Sequence, residues 1–140
     1  MKHIKRTMIF IGMMILFCLS SVTTDAQTYK YQTTSFAYKT YDYQWKRWTE
    51  WSDWENSSML VVISLDREVI SIYSQSIQEY DIVEYQGEER DSDGGESVKF
   101  LCVNEDGLRC NIRLRTQRDG QRQLYVDFSD MMWVYSIVDR

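Results

Sequence analysis

The sequence has no proline, and its one histidine, His3, lies at the extreme N-terminus. The rest of the chain therefore offers no imidazole for a Ser-His or Cys-His catalytic pair, or for a histidine-containing zinc site. Two carboxylates alone can hydrolyse a glycoside, but no spacing in the chain identifies such a pair. We therefore expect a protein that is not an enzyme and that needs no cofactor.

Long apolar runs are also missing, apart from Met8 to Leu19. That run is about half the length of a membrane-spanning helix. Three basic residues precede it, and the small residues Thr24 and Ala26 follow at the positions expected before a cleavage site. This pattern predicts a signal peptide over residues 1–26 and a single domain over residues 27–140. The mature protein is then secreted or periplasmic, and it meets a membrane only through the signal peptide before cleavage.

Basic residues are in the minority, with 16 Lys and Arg against 21 Asp and Glu. Three of the basic and one of the acidic residues fall in residues 1–26, which leaves 13 basic, 20 acidic and a net charge of −7. Affinity for nucleic acids depends largely on Lys and Arg releasing counterions, so we expect no nucleic-acid partner. A basic protein is the more plausible partner for an acidic chain.

Only two cysteines, Cys102 and Cys110, follow the predicted signal peptide. They flank an Asp106-Gly107 turn between two alternating apolar runs, which predicts a β-hairpin. A three-residue loop with Gly107 in the left-handed conformation places Cys102 opposite Cys110 and leaves one face of the hairpin apolar. We predict a disulfide between them, since opposed strand residues lie within its range and the compartment is oxidising. The alternative is two buried free thiols.

Similar turns recur along the chain and predict its fold. Asp119-Gly120 and Ser129-Asp130 continue the same apolar face, so residues 98–138 form a four-stranded antiparallel meander. A hairpin around Asp66-Arg67 and further segments upstream bring the total to eight or nine strands. We predict an all-β, antiparallel up-and-down barrel or a sandwich, and we favour the barrel because closure hides the sheet edges. Bulky inward side chains predict a filled interior.

Tryptophan recurs every three residues at Trp45, Trp48, Trp51 and Trp54. This spacing fits neither a strand nor one face of a helix, and it is compatible with a turn or an extended run. The neighbouring cations, Arg47 among them, can stack on the rings. The stretch Trp51-Ser-Asp-Trp54 resembles part of the Trp-Ser-x-Trp-Ser signature of cytokine receptors and the tryptophan ladder of thrombospondin type 1 repeats. Because the resemblance is confined to this stretch, we carry over no function.

The tryptophans have three interpretations. The rings can cap or cover the barrel core, stack on a glycan, or dock a protein, since tryptophan is enriched in binding hot spots. The predicted binding residues are Trp45, Trp48, Trp51, Trp54 and Arg47.

An acidic, glycine-rich connection contains Asp91, Asp93 and Glu96. Their carboxylates are calcium ligands by type, but the spacing lacks the other ligands of an EF-hand loop. A solvated loop is the main prediction and a calcium site the alternative.

The sequence as a whole predicts an exported, acidic β-barrel that binds a protein, for example as an inhibitor of a basic envelope enzyme. The first alternative is a carrier of a small apolar or glycan ligand, in a barrel mouth lined by the four tryptophans. The second alternative is a structural component of the envelope.

Overall fold

The computed structural model describes residues 27–140, so the predicted signal peptide lies outside the described residues. Within that range every regular element is a β-strand, and no helix has the length and apolarity to cross a membrane. The strands are β1 (Thr28–Asp42), β2 (Arg47–Trp48), β3 (Glu55–Asn56), β4 (Leu60–Ser64), β5 (Val69–Tyr73), β6 (Ile77–Arg90), β7 (Glu96–Asn104), β8 (Arg109–Thr116), β9 (Arg122–Asp127) and β10 (Met131–Asp139).

Eight of the strands form a closed antiparallel barrel. Strands β4 to β10 pair with their neighbours in chain order, and β1 joins β4 to β10, which closes the sheet. The up-and-down barrel is confirmed. The short strands β2 and β3 lie outside this ring and pair only with β1.

The predicted hairpin register is confirmed. Cys102 lies opposite Cys110, and Phe100 lies opposite Ile112. Gly107 has φ of 82°, the left-handed conformation that the three-residue loop requires, and its N–H donates to the carbonyl of Asn104 over 3.0 Å. A local turn signal and strict alternation were therefore sufficient to fix the pairing of these two strands.

The predicted disulfide is absent from the structure, in which Cys102 and Cys110 are free thiols. The N–H of Asn104 donates to the carbonyl of Leu108 over 2.9 Å, so Asn104 and Leu108 are a hydrogen-bonded pair. Hydrogen-bonded and non-hydrogen-bonded pairs alternate along antiparallel strands, so Cys102 and Cys110, two residues further along, are also a hydrogen-bonded pair. At such a position the Cβ atoms lie about 5.5 Å apart. A disulfide needs about 3.5 to 4.5 Å. Direct opposition alone is therefore not sufficient for a bond.

Neither thiol is expected to react with iodoacetamide in the folded protein near neutral pH. Burial raises the pKa of Cys102, and it raises the pKa of Cys110 to about 12, so almost no thiolate is present. Both thiols should be alkylated once the protein is unfolded without reductant, and mass spectrometry counts the labels. An unfolded, unreduced protein that takes up no label would show that the two sulphurs are bonded after all.

Apolar side chains fill the interior, as the sequence predicts. The largest completely buried aliphatic residues come from five strands: Val61, Ile70, Ile72, Ile82, Ile112, Leu124 and Val126. The antiparallel topology gives the barrel two ends. The terminal end carries Gln27, Arg140 and the turns that follow β4, β6 and β8. The loop end carries the turns that follow β1, β5, β7 and β9.

Candidate functional site

The tryptophan segment, residues 43–59, connects β1 to β4 and runs back along β1 on the outside of the barrel. It begins at the loop end, where β2 pairs with Tyr41 and Asp42. Further along, β3 pairs with Ser35 and Phe36. The segment therefore covers an edge of β1 that β4 leaves unpaired. It does not line a barrel mouth.

Hydroxyl groups attach the segment to β1. The N–H of Thr49 donates to the carbonyl of Thr40 over 2.8 Å, and the N–H of Thr40 donates back to Thr49 Oγ1 over 3.0 Å. Ser52 and Tyr38 repeat the arrangement, with 2.7 Å to the Tyr38 carbonyl and 2.9 Å to Ser52 Oγ. A step of three residues along the segment, from Thr49 to Ser52, thus corresponds to a step of two residues along β1, from Thr40 to Tyr38.

This three-to-two correspondence explains the tryptophan spacing. It continues for one more step, because Glu55 lies opposite Phe36. Thr49, Ser52 and Glu55 each follow a tryptophan in the sequence, so the three preceding rings occupy equivalent places along β1. These rings belong to Trp48, Trp51 and Trp54.

Two of these rings, Trp48 and Trp51, form a stack with Tyr125 and two cations on the outer wall of the barrel. Lys39 Nζ lies 5.4 Å from the ring centroid of Trp48 and 4.7 Å from that of Trp51. Trp51 meets Tyr125 edge-on at 6.2 Å, and the guanidinium of Arg113 lies 4.1 Å from the Tyr125 ring. We call these five residues the aromatic–cation ladder. Cation–π contacts of this kind contribute about 0.5 to 2 kcal/mol each, so the ladder orders its own side chains.

Asp127 holds the far end of the ladder. Its Oδ2 accepts from Arg113 Nε over 2.6 Å, and its Oδ1 accepts from Arg113 Nη2 over 3.3 Å. Such a bidentate pair fixes the guanidinium in a single orientation. Both side chains are mostly shielded from solvent, so the ion pair is screened less than a fully exposed one.

The tryptophans lie outside the barrel core, whose cluster of buried residues contains none of the four. Trp45, Trp51 and Trp54 are between 39% and 66% exposed. The interpretation that they cover the core is therefore wrong. Ala37 and Val134, a paired couple of residues beside the ladder, are almost inaccessible to solvent.

Lys39, Tyr125 and Arg113 are the ladder residues that the sequence did not indicate. Arg47, the predicted stacking cation, is exposed in β2, and the cation between the rings is Lys39 of β1. The alternation of β1 places Lys39 outward beside the tryptophans, but this signal becomes visible only once the segment is known to pair with β1.

A shallow groove of about 630 Å³ continues from the ladder across the outer face of β7, β8 and β9. Its apolar contributors include Trp48 and Met132. Its charged contributors are Glu89, Lys99, Arg109, Arg113 and Asp127. This combination of apolar side chains with arginine is typical of protein-binding surfaces.

The carboxylate of Asp91, one of the three residues of the alternative calcium site, is engaged within the protein. Asp91 Oδ1 accepts the N–H groups of Asp93 and Gly95, and its Oδ2 accepts from Arg115 Nε over 2.8 Å. No group of three or more potential metal ligands is arranged around a cation position in residues 27–140. The carboxylate of Asp91 closes the loop and ties it to β8.

Asp91 is expected to stabilise the fold in a pH-dependent way. The hydrogen bond from Arg115 lowers its pKa to about 2, and the Gly95 N–H contributes. Its stabilisation is therefore complete above about pH 4 and is lost as the pH falls toward 2. Urea unfolding of the wild type and Asp91→Asn should differ at pH 6 and converge near pH 2. Asp93→Asn is the control that should change little, and a difference for Asp91→Asn that is independent of pH would contradict this role.

The mouth of the barrel lies elsewhere than the sequence suggested. A cavity of about 120 Å³ opens at the terminal end, and it is lined by Tyr29, Tyr31, Ile63, Leu65, Glu88, Val98, Phe100 and Leu114. None of these residues is a tryptophan. The predicted mouth lined by Trp45, Trp48, Trp51 and Trp54 is therefore wrong, because pairing with β1 holds that segment on the outer wall.

Comparisons of the chain with protein-family models, with curated proteins and with solved structures found no match.

Proposed function

We propose that this protein is an exported, non-enzymatic binding module that recognises a protein partner through the aromatic–cation ladder and the adjoining groove. The observation that supports the proposal best is the exposed position of Trp51, with Lys39 against its ring and Tyr125 at its edge. Exposed tryptophan is uncommon on protein surfaces, and buried tryptophan and arginine dominate the binding energy of interfaces.

The attachment of the segment favours tight binding. Thr49 and Ser52 bond both the N–H and the carbonyl of their partners in β1, so the backbone beneath the rings is fixed before any partner arrives. Association then orders few additional groups. Preorganisation of this kind increases affinity without new contacts.

The same geometry disfavours a glycan or a large internal ligand. Lys39 occupies one face of both Trp48 and Trp51, so fewer ring faces remain on which a sugar can stack. The filled interior leaves a cavity of only about 120 Å³, which is too small for a large internal ligand. A protein surface, with mixed apolar and charged groups, matches the ladder better.

Charge acts at two distances. The net charge of −7 over residues 27–140 attracts a basic partner from solution and raises the association rate. At the contact itself, Lys99 and Arg109 offer donors to carboxylates of that partner. A basic enzyme of the cell envelope that is inhibited by the contact is one pair with this chemistry.

Native mass spectrometry of the protein, isolated without detergent from the cells that make it, tests the proposal. We expect a complex that contains a second polypeptide and that releases the monomer on denaturation. A surplus of only a few hundred daltons would instead support a carrier. A bare monomer at every concentration measured would contradict the proposal.

A further inference from the structure

The cavity at the terminal end is an apolar pocket with an acidic rim. Its floor is made by Tyr31, Ile63, Val98, Phe100 and Leu114, which come from four different strands. Among residues 27–140, Glu88 is the only charged residue that lines it. A pocket with apolar walls and few polar groups is the usual form of a small-molecule site.

The rim is more acidic than the cavity alone suggests. A second depression of about 320 Å³ adjoins the cavity and shares Glu88, Val98 and Leu114 with it, and it adds Glu89, Arg90 and Glu96. Arg90 is engaged by Glu96 at 2.8 Å. Glu88 and Glu89 thus give the rim a net negative charge.

Among the cations at the terminal end, Arg122 contacts a residue that lines the cavity. Arg122 stacks on the Tyr31 ring at 6.0 Å, and its Nη1 is 2.6 Å from Asp139 Oδ1. Because Asp139 neutralises it, Arg122 does not reverse the charge of the rim. The mouth therefore combines apolar walls with the carboxylates of Glu88 and Glu89, which form no ion pair within residues 27–140.

We propose that this mouth binds a small amphipathic cation, with an apolar body of about six carbons and an ammonium group. The body enters the cavity, whose volume of about 120 Å³ approaches that of a cavity that accepts benzene. The ammonium stays at the rim and pairs with Glu88. This site lies on the inner face of the terminal end, whereas the ladder lies on the outer wall, so the two proposals are independent.

A homologous series of n-alkylamines from butylamine to octylamine tests the apolar half of the proposal. The protein, isolated as above, is titrated and the backbone amide shifts of Val98 and Leu114 are followed by NMR. Affinity should rise about fourfold per methylene while the chain enters the cavity, and it should level off near hexylamine. Shifts that do not saturate, or that are largest at the loop end, would overturn the proposal.

Probes that differ in charge test the rim. Hexylamine should bind more tightly than hexanol, and hexanol more tightly than hexanoate, because carboxylates surround the entrance. Hexanoate binding as tightly as hexylamine would overturn the proposal.

Two variants locate the site. Glu88→Gln, an exposed change, should remove most of the preference for hexylamine over hexanol and leave hexanol binding unchanged. Val98→Phe should fill the cavity and abolish binding of both. Trp51→Ala is the control that should leave both affinities unchanged, and its effect on partner binding separates this proposal from the first. Equal hexylamine affinity in wild type and Glu88→Gln would contradict the assigned role of Glu88.

Discussion

Replacing Ile72 by alanine is expected to lower the free energy of unfolding by about 2 to 5 kcal/mol. Ile72 is completely buried, and on its two sides it lies opposite Val61 of β4 and Gln78 of β6 in the centre of the wall. Truncation removes the transfer energy of the side chain and leaves a cavity that a closed barrel cannot easily collapse. Urea denaturation measures the loss.

The next residue provides a matched control. Tyr73 is 42% exposed on the same strand, and Tyr73→Ala should change the free energy of unfolding by less than about 1 kcal/mol. A slip of one residue in the pairing of β5 would turn Tyr73 inward and Ile72 outward, so Tyr73→Ala would then cause the larger loss of stability. A larger loss for Tyr73→Ala than for Ile72→Ala would contradict the register.

Replacing Trp51 by alanine is expected to weaken partner binding at least about 30-fold, the effect of removing a central hot spot of about 2 kcal/mol. Trp51 touches Lys39 and Tyr125, so its loss also frees the two neighbours that keep the ladder ordered. The fold should survive, because the ring lies outside the core cluster and Ser52 retains its bonds to Tyr38. Isothermal titration with the partner identified by mass spectrometry measures the loss.

Tyr73→Ala also serves as the control for this binding experiment. This substitution removes an exposed aromatic ring from a strand that takes no part in the ladder. The affinity of the variant for the partner should therefore stay within about twofold of the wild-type affinity. Unfolding of Trp51→Ala, detected by circular dichroism, would show that the ring is structural. Equal losses of affinity in the two variants would show that the contact lies elsewhere.

Local signals in the sequence were sufficient for the barrel walls. A turn glycine such as Gly107 sets the loop length, and alternation on each side then decides which residues face inward. The disulfide failed for a reason that is also local. The same loop makes Cys102 and Cys110 a hydrogen-bonded pair, and the prediction used only their opposition.

The ladder could not be predicted, because its members meet only through closure of the barrel. Lys39 and Tyr125 are far apart in sequence, and they become neighbours because β10 pairs with both β1 and β9. The three-residue spacing of the tryptophans does not look like a strand, because each step of three residues in the segment corresponds to a step of two residues in β1. Alternation with period two, the signal of an ordinary strand, is absent there.

Site-specific photo-crosslinking in the living cell tests most directly whether a protein is bound at the tryptophan surface. A benzophenone side chain replaces Trp54, which is 51% exposed beside the ladder, or Tyr73, which is comparably exposed away from it. We expect irradiation to join a second polypeptide to the protein labelled at position 54 and not to the protein labelled at position 73. No adduct from position 54, or the same adduct from both positions, would contradict recognition of a protein through this surface.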